Sequence, residues 1–377
     1  MISGESVFPA RPIAPKFDLE APELACSSYQ PLKVVAIGGG TGLSTLLRGL
    51  KHYIRPLDHV SEHSECSEPT IGELTAVVTV TDDGGSSGRL RKDFNMLPPG
   101  DIRNCLVALS EDEALLSRLF QYRFTAGSGL EGHNFGNLFL AALTAITKDF
   151  AQAVQLSSAI LATVGRILPA TTADVQLQAD MDDGSVVYGE TSISASKRRI
   201  LHLQMVPPDA RPVPETLNAI AEADLITMGP GSLFTSLVPN LLVHGIPQAI
   251  ADSPAVKVYV CNLMTQANES LGLTASEHIK ALYRHAGMPF FDYALINEEP
   301  ISPDLMAKYL LEGADRVMCD EEAIEKLGVR VIKGNYVAEI PEARHAADRV
   351  VHDILQLTYR YHLFLSAQLS VKQAPSR

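Results

Sequence analysis

LKVVAIGGGTGLSTLLRGLKHY, Leu32 to Tyr53, is the stretch that decides the fold class. LKVVAIGGG reads as a buried strand ending in glycine, and TGLSTLLRGLKHY places Leu43, Leu46, Leu47 and Leu50 on one face at helical spacing. A strand, a glycine loop and a helix in that order open a parallel, doubly wound sheet. LTAVVTV from Leu74 supplies a second strand. The alternation returns with ADLITM, GSLFTSLVPNLLVHG, PQAIADS, VKVYVCN, ASEHIKALYRHAG, DYALINE, PDLMAKYLLEG, RVMCD and a last long helix from about Glu342. Between these halves, about 101–165 is helical in pattern, a predicted cap. About 168–207 alternates in short segments around Asp183-Gly184, a predicted antiparallel β element. The expected fold is therefore α/β: a Rossmann-like, doubly wound, mostly parallel sheet in one domain, 31–365. It is preceded by a mobile arm (1–30) that docks weakly if at all, interrupted by an exposed acidic insertion (58–73), and followed by a tail (366–377).

The 377 residues are 46% hydrophobic and 20% charged, enough to bury a sizeable core. A formal charge of −13 argues against general affinity for nucleic acid or anionic membrane, so any anionic ligand has to be met by local positive charge. Cys26, Cys66, Cys105, Cys261 and Cys319 are scattered and contain no C-x-x-C pair, which suits neither a disulfide framework nor a zinc site. With no signal pattern and no apolar run of spanning length, the expectation is a cytoplasmic protein without membrane insertion.

In an open parallel sheet, ligands bind beyond the carboxyl ends of the strands. The residues expected there are Gly38-Gly39-Gly40-Thr41-Gly42, Asp82-Asp83-Gly84-Gly85-Ser86-Ser87-Gly88, Gly229-Pro230-Gly231-Ser232 and Cys261-Asn262-Leu263-Met264-Thr265. Glycine lets backbone N–H groups approach phosphate oxygens, and a following helix start favours negative charge. GGGTGLS and GPGSLFTS have that form without being Walker A loops. One such loop alone is as well explained by a tight turn; two together point to a phosphorylated ligand. Arg89, Arg91 and Arg103 are candidate forked donors to phosphate, and Ser86 and Ser87 candidate hydroxyl donors. Asp82 and Asp83 have three open roles: holding a ribose hydroxyl, holding a divalent cation such as Mg²⁺, or carrying a proton. Asp101 reads as a helix N-cap. GHNFG has Asn134 where a hydrolase would place its nucleophile. His133, Asn134 and Asn137 therefore form either a polar helix start facing ligand or a buried capping cluster. The histidines show no metal-ligand spacing.

GGGTGLSTLLRGLK, TDDGGSSGRLR, LPPGDIRNCLVAL, GHNFGNLFLAALT, GPGSLFTSLVPNLLV and VYVCNLMTQ, in this order, resemble the YvcK-type gluconeogenesis factors, relatives of the 2-phospho-lactate transferases. The resemblance implies a Rossmann-like protein that binds a nucleotide-sugar, typically UDP-N-acetylglucosamine. It also implies a regulatory role in cell shape and envelope precursor supply during growth on gluconeogenic carbon. By motif, the Gly38 to Gly42 and Gly229 to Ser232 loops would hold the nucleotide and its phosphates beside Asp82 and Asp83. By order in the chain, Tyr309 and Arg344 would be the C-terminal ligand contacts. An enzyme of amino-sugar synthesis is the partner such a regulator would act on, and a homo-oligomer is left open. The alternative is a transferase in which Asp82 or Asp83 binds Mg²⁺ and activates an acceptor hydroxyl. An NAD-dependent dehydrogenase would leave TDDGGSSGRLR unexplained.

Overall fold

Alternate side chains of β1 (Leu32–Gly38) enter two different apolar layers: Leu32, Val34 and Ala36 join one core, Val35 and Ile37 the other. That is the signature of a central strand buried on both faces. The computed structural model describes residues 11–19, 31–55, 69–111, 115–196, 198–339 and 342–373. Helix α1 (Gly40–Lys51) follows, its Leu43, Leu46, Leu47 and Leu50 buried in the first core. β2 (Ile71–Val78) pairs with β1 in parallel. Of the acidic insertion expected over 58–73, residues up to 68 lie outside the described ones, and Ile71, Gly72 and Glu73 belong to β2.

The chain then makes a long crossover through α2 (Gly85–Phe94), α3 (Gly100–Leu109), α4 (Leu115–Gln121), α5 (Phe135–Thr147) and α6 (Phe150–Ile160) to β3 (Arg166–Pro169). Helices were expected here as a cap, but α3 lies within the first core beside α1. The segment of β3 was expected to divide between the end of the helical run, at about 165, and the start of the antiparallel element, from about 168. It is instead the edge strand of the main sheet, too short at four residues for periodicity to reveal it.

β4 (Gln176–Met181), β5 (Val186–Tyr188), α7 (Glu190–Ala195) and β6 (Ile200–Val206) form the antiparallel element, in strand order β5-β4-β6. After α8 (Pro214–Glu222), β7 (Leu225–Met228) returns to the main sheet on the other side of β1. A buried π-helical turn (Leu233–Leu237) leads into α9 (Val238–Leu242) and α10 (Ile246–Asp252), then β8 (Val256–Val260), α11 (Ala275–Ala286), β9 (Tyr293–Asn297), α12 (Pro303–Leu311), α13 (Glu321–Glu325) and β10 (Arg330–Gly334). The seven strands are all parallel, in order β10-β9-β8-β7-β1-β2-β3.

RVMCD, expected as a strand, contributes one bridge between Arg316 and Met264; the last strand of the main sheet is RVIKG in β10. The long helix expected from Glu342 begins later. β11 (Val337–Glu339) and β12 (Ala343–His345) first form a hairpin that contains Arg344, and α14 (Ala347–Gln373) then runs through the segment expected as a tail.

Residues 11–19, expected within a weakly docking arm, lie against this scaffold. Arg11 pairs with Asp292 at 3.2 Å, the Tyr293 hydroxyl donates to the Pro15 carbonyl at 2.8 Å, and Phe17 meets the edge of Phe364. Among the described residues no single helix is long and apolar enough to cross a membrane.

Candidate functional site

β2 and β7 flank β1 on opposite sides, so the direction of winding reverses there, and an open α/β sheet forms its crevice at such a point. A cleft of about 800 Å³ lies at this edge. Gly39 to Gly42 and Thr45 line one side, Pro230 to Ser232 with Thr235 and Ser236 another, Asn262 to Glu269 a third, and Tyr309, Glu312 and Glu342 to His345 the outer rim.

The glycines serve close approach as much as any ligand. A side chain at Gly42 would place its Cβ 2.2 Å from the Pro230 carbonyl oxygen, so the start of α1 and the Gly229 to Ser232 loop touch backbone to backbone. Gly40 has φ +62°, a left-handed turn that only glycine enters without strain. Gly38 lies within β1 and Gly229, at φ +84°, opens its loop directly after β7; neither lines the cleft. Asn262 fixes the same loop: its Oδ1 accepts from Gly231 N–H at 3.1 Å and its Nδ2 donates to the Gly231 carbonyl at 2.7 Å. It is spent on holding Gly231. Gln266 Nε2 donates to Ser232 Oγ at 2.9 Å.

Carboxylates dominate the walls: Asp101, Glu190, Glu269, Glu312 and Glu342 face the cleft against one guanidinium, Arg344. Asp101, read from sequence as the cap of α3, lies instead within its first turn, behind Pro99 at the cap position, and accepts from Gly40 N–H. Burial, and then the neighbouring Asp82 charge, push its carboxyl up to about 6. Burial also holds Glu190 well above the ordinary carboxylate range, with Asp101 and Asp82 adding to the effect. Glu269 is raised by burial, against hydrogen bonds from Phe234 N–H at 3.2 Å, Thr235 Oγ1 at 2.8 Å and Ser194 Oγ at 3.3 Å. Sequence reading missed Glu190, Glu269 and Ser194, because they stand in two distant segments, α7 and the stretch before α11, with no local motif, and meet only through the fold.

Asp82 and Asp83 stand behind the cleft lining and diverge. Asp82 Oδ1 accepts from Gly84 N–H at 2.9 Å, and its other oxygen lies where a Cβ on Gly100 would meet it at 2.8 Å. Asp83 Oδ1 is taken by Thr191 N–H at 2.8 Å and Thr191 Oγ1 at 2.6 Å. Among the described residues no three His, Cys, Asp or Glu side chains are grouped to hold a metal ion. Mg²⁺ usually takes one or two carboxylates together with phosphate oxygens and water. In that mode Asp82 and Asp101, close enough for their charges to interact and each with one oxygen already accepting a backbone N–H, are the pair to consider, whereas Asp83 is tied to Thr191.

The donors expected from the TDDGGSSGRLR stretch turn elsewhere. Gly85 onward is helix α2, so Arg89 is exposed and donates to the Glu131 carbonyl at 2.9 Å, while Arg91 pairs with Asp174. Ser86 and Ser87 are buried in a network that joins three helices. Ser86 Oγ meets His133 Nδ1 at 3.1 Å, Asn137 Nδ2 donates to Ser87 Oγ at 3.4 Å, and Arg103 Nη1 donates to Asn137 Oδ1 at 3.1 Å. Asn134 caps α5 by accepting from Asn137 N–H. Of the two readings of GHNFG, the structure shows the buried capping cluster. Tyr309 and Arg344 do reach the rim: the Tyr309 hydroxyl accepts from Ala343 N–H at 3.2 Å, and Arg344 pairs with Glu342 at 3.2 Å.

The family model for the 2-phospho-L-lactate transferase CofD matches residues 34–337, which takes in both glycine loops, Asp101, Glu190, Glu269 and Glu312, and the seven strands of the sheet apart from the first two residues of β1. The chain belongs to the CofD family. Within that family it groups with the gluconeogenesis factors. It is 48% identical over 324 residues to the gluconeogenesis factor of Halalkalibacterium halodurans, covering 86% of this chain and 95% of that one. It is 46% identical over 329 residues to that of Bacillus subtilis, covering 87% of this chain and 98% of the relative. A crystal structure of a Bacillus halodurans protein superposes with a TM-score of 0.80 at 47% identity, covering 86% of this chain and all of that one. The YvcK-type, CofD-like assignment and the Rossmann-like α/β fold expected from sequence both hold.

Proposed function

We propose that this gluconeogenesis factor is a binding regulator that senses a nucleotide-sugar, UDP-N-acetylglucosamine, and through it adjusts amino-sugar and envelope precursor supply in the cytoplasm. The observation that carries the reading is the cleft at the winding reversal, where two glycine loops approach backbone to backbone and about 800 Å³ opens beside them. The N–H groups of Thr41 and Gly42 in the first turn of α1 have no side-chain cap and no acidic residue within that turn to compete for them. They suit a diphosphate. The rim hairpin with Arg344 suits the outer phosphate oxygens, and hydroxyl-bearing groups of ribose and sugar suit the carboxylate walls. A magnesium ion accompanying the ligand would be held by Asp82 and Asp101 and would supply charge neutralisation at the phosphates.

The transferase reading needs a second substrate whose hydroxyl a carboxylate and a metal ion would activate, and of the two carboxylates assigned that work Asp83 is taken by Thr191 N–H and Thr191 Oγ1 at 2.8 and 2.6 Å. Calorimetric titration of the purified protein with UDP-N-acetylglucosamine, followed by chromatography of the recovered nucleotide, tests the proposal. Saturable heat with intact nucleotide is expected. Absence of saturable heat at millimolar ligand refutes it, and consumption of the nucleotide in the presence of Mg²⁺ transfers the assignment to the transferase.

A further inference from the structure

Each glycine loop leads into a backbone donor that a carboxylate of the protein already takes, while the N–H groups of Thr41 and Gly42 in α1 have no side-chain cap. Gly40 N–H at the start of α1 donates to Asp101. Phe234 N–H and Thr235 Oγ1, at the start of the π-helical turn, donate to Glu269 at 3.2 and 2.8 Å. Glu269 is 9% exposed and is tied to the antiparallel element by Ser194 Oγ at 3.3 Å. Glu190, at the start of α7 and also lining the cleft, receives a long hydrogen bond from Thr81 Oγ1 at 3.4 Å. A helix N-terminus normally draws an external anion. Here the seat on the Gly229 to Ser232 side is filled from within, and the cations that would offset it point away: Arg89 and Arg91 are engaged with Glu131 and Asp174.

We propose that Glu190 and Glu269 are specificity-determining residues that turn away nucleotides ending in a free phosphate and admit diphosphates capped by a hydroxyl-bearing group. This deepens the nucleotide-sugar reading above and rests on it. A terminal phosphate carries a second ionisation that an esterified phosphate lacks, hence about one more negative charge near neutral pH. Bringing that charge beside Glu269, whose oxygens already accept three hydrogen bonds, is repulsive, and it adds to the load on Glu190, which burial already biases towards holding its proton; sugar hydroxyls can instead hydrogen-bond to the same oxygens. Discrimination then comes from an unfavourable term against the wrong ligand as much as from contacts to the right one. The charges that act on Glu190 are Asp101, Asp82, Glu269 and Asp83, with Arg103 acting on Asp101 and Asp82, and Arg344, Glu312 and Glu342 line the rim of the same cleft. If the carboxylates served as magnesium ligands, terminal phosphates would be rewarded instead.

The test is calorimetry on the full chain with UDP-N-acetylglucosamine, UDP and UTP, each in EDTA and in Mg²⁺, for wild type, Glu190→Gln and Glu269→Gln, with circular dichroism and melting to establish folding. In EDTA the wild type is expected to favour the nucleotide-sugar over UDP and UTP by on the order of tenfold. Either glutamine variant should narrow that ratio by binding UDP more tightly than wild type does, a gain that mere structural damage would not produce. Three results overturn the filter: wild type binding UDP as tightly as the nucleotide-sugar, variants weakening all ligands in parallel, or Mg²⁺ tightening UDP in wild type but not in the variants. Binding without discrimination removes only the filter, while failure of every uridine nucleotide to bind removes the nucleotide-sugar reading and the filter with it. If Glu269→Gln does not fold, Glu190→Gln carries the comparison, read at alkaline as well as neutral pH so that the wild-type Glu190 carboxyl, which burial biases towards its proton, is ionised.

Discussion

Gly42→Ala probes the backbone-to-backbone contact on which the cleft depends. The added Cβ would sit 2.2 Å from the Pro230 oxygen, 2.7 Å from its carbonyl carbon and 3.0 Å from Gly231 Cα. None of these is the end of a flexible side chain, so α1 and the Gly229 to Ser232 loop have to part by about 1 Å, and forcing atoms into a packed interior costs about 1–3 kcal/mol. Two close backbone contacts place the cost near the upper end, about 3 kcal/mol. Alanine's better helix propensity returns about 1 kcal/mol at most. The net loss is about 2 kcal/mol. For 377 residues the unfolding entropy is roughly 0.8 kcal/mol/K, so the melting temperature should fall by about 2–3 °C. Binding should suffer more than stability, because the displaced atoms line the site. Gly38→Ala is the matched control, since its Cβ would meet only Leu43 and Leu237 side-chain carbons at 3.5 and 3.6 Å. Differential scanning calorimetry and nucleotide-sugar titration of both variants provide the measurement. If Gly42→Ala melts with wild type and binds equally well, the claim that the two loops are held in contact at this point is refuted.

Asp101→Asn should change stability in a pH-dependent way. The folded carboxyl titrates at about 6, above its unfolded value, so folding favours the protonated form, and the wild type loses stability as pH rises from about 4 to 6. The asparagine variant lacks that loss. Its stability advantage should be small below pH 4, grow through the window and level off above it at no more than about 3 kcal/mol, and a difference independent of pH in urea titrations would contradict the assignment. Arg89→Ala should leave nucleotide-sugar affinity unchanged, while Arg344→Ala should weaken it by on the order of tenfold through loss of a charge-assisted hydrogen bond. Equal losses in calorimetry would return the α2 arginines to the site. Asn262→Ala leaves both polar groups of Gly231 without their partner and should cost about 1–3 kcal/mol in chemical denaturation, with weaker binding. An unchanged denaturation midpoint would show that water replaces the clamp.

What the sequence determined by itself is local. A β-branched run, a glycine loop and an apolar helical face in succession are written within Leu32 to Lys51, and a parallel sheet follows from their repetition. Thr274 to Glu277 likewise shows its capping box both in sequence and in structure. The glycine loops at the strand ends were legible for the same reason, since each is decided by neighbours a few residues away. Short edge elements were not: β3 and β10 owe their strand state to partners already in the sheet, and Arg344 to pairing with Ala338 across a hairpin. The electrostatics of the site were the least legible. Arg89 turns outward because the stretch that holds it is a helix whose other faces, with Ser86, Ser87 and Leu90, are buried. Asp101, Glu190 and Glu269 lie far apart in the chain, and only the winding of the sheet and the docking of the antiparallel element bring them to one cleft. The tertiary structure alone decided that sign of charge, because electrostatic character depends on distance in space and burial, neither of which spacing along the chain encodes.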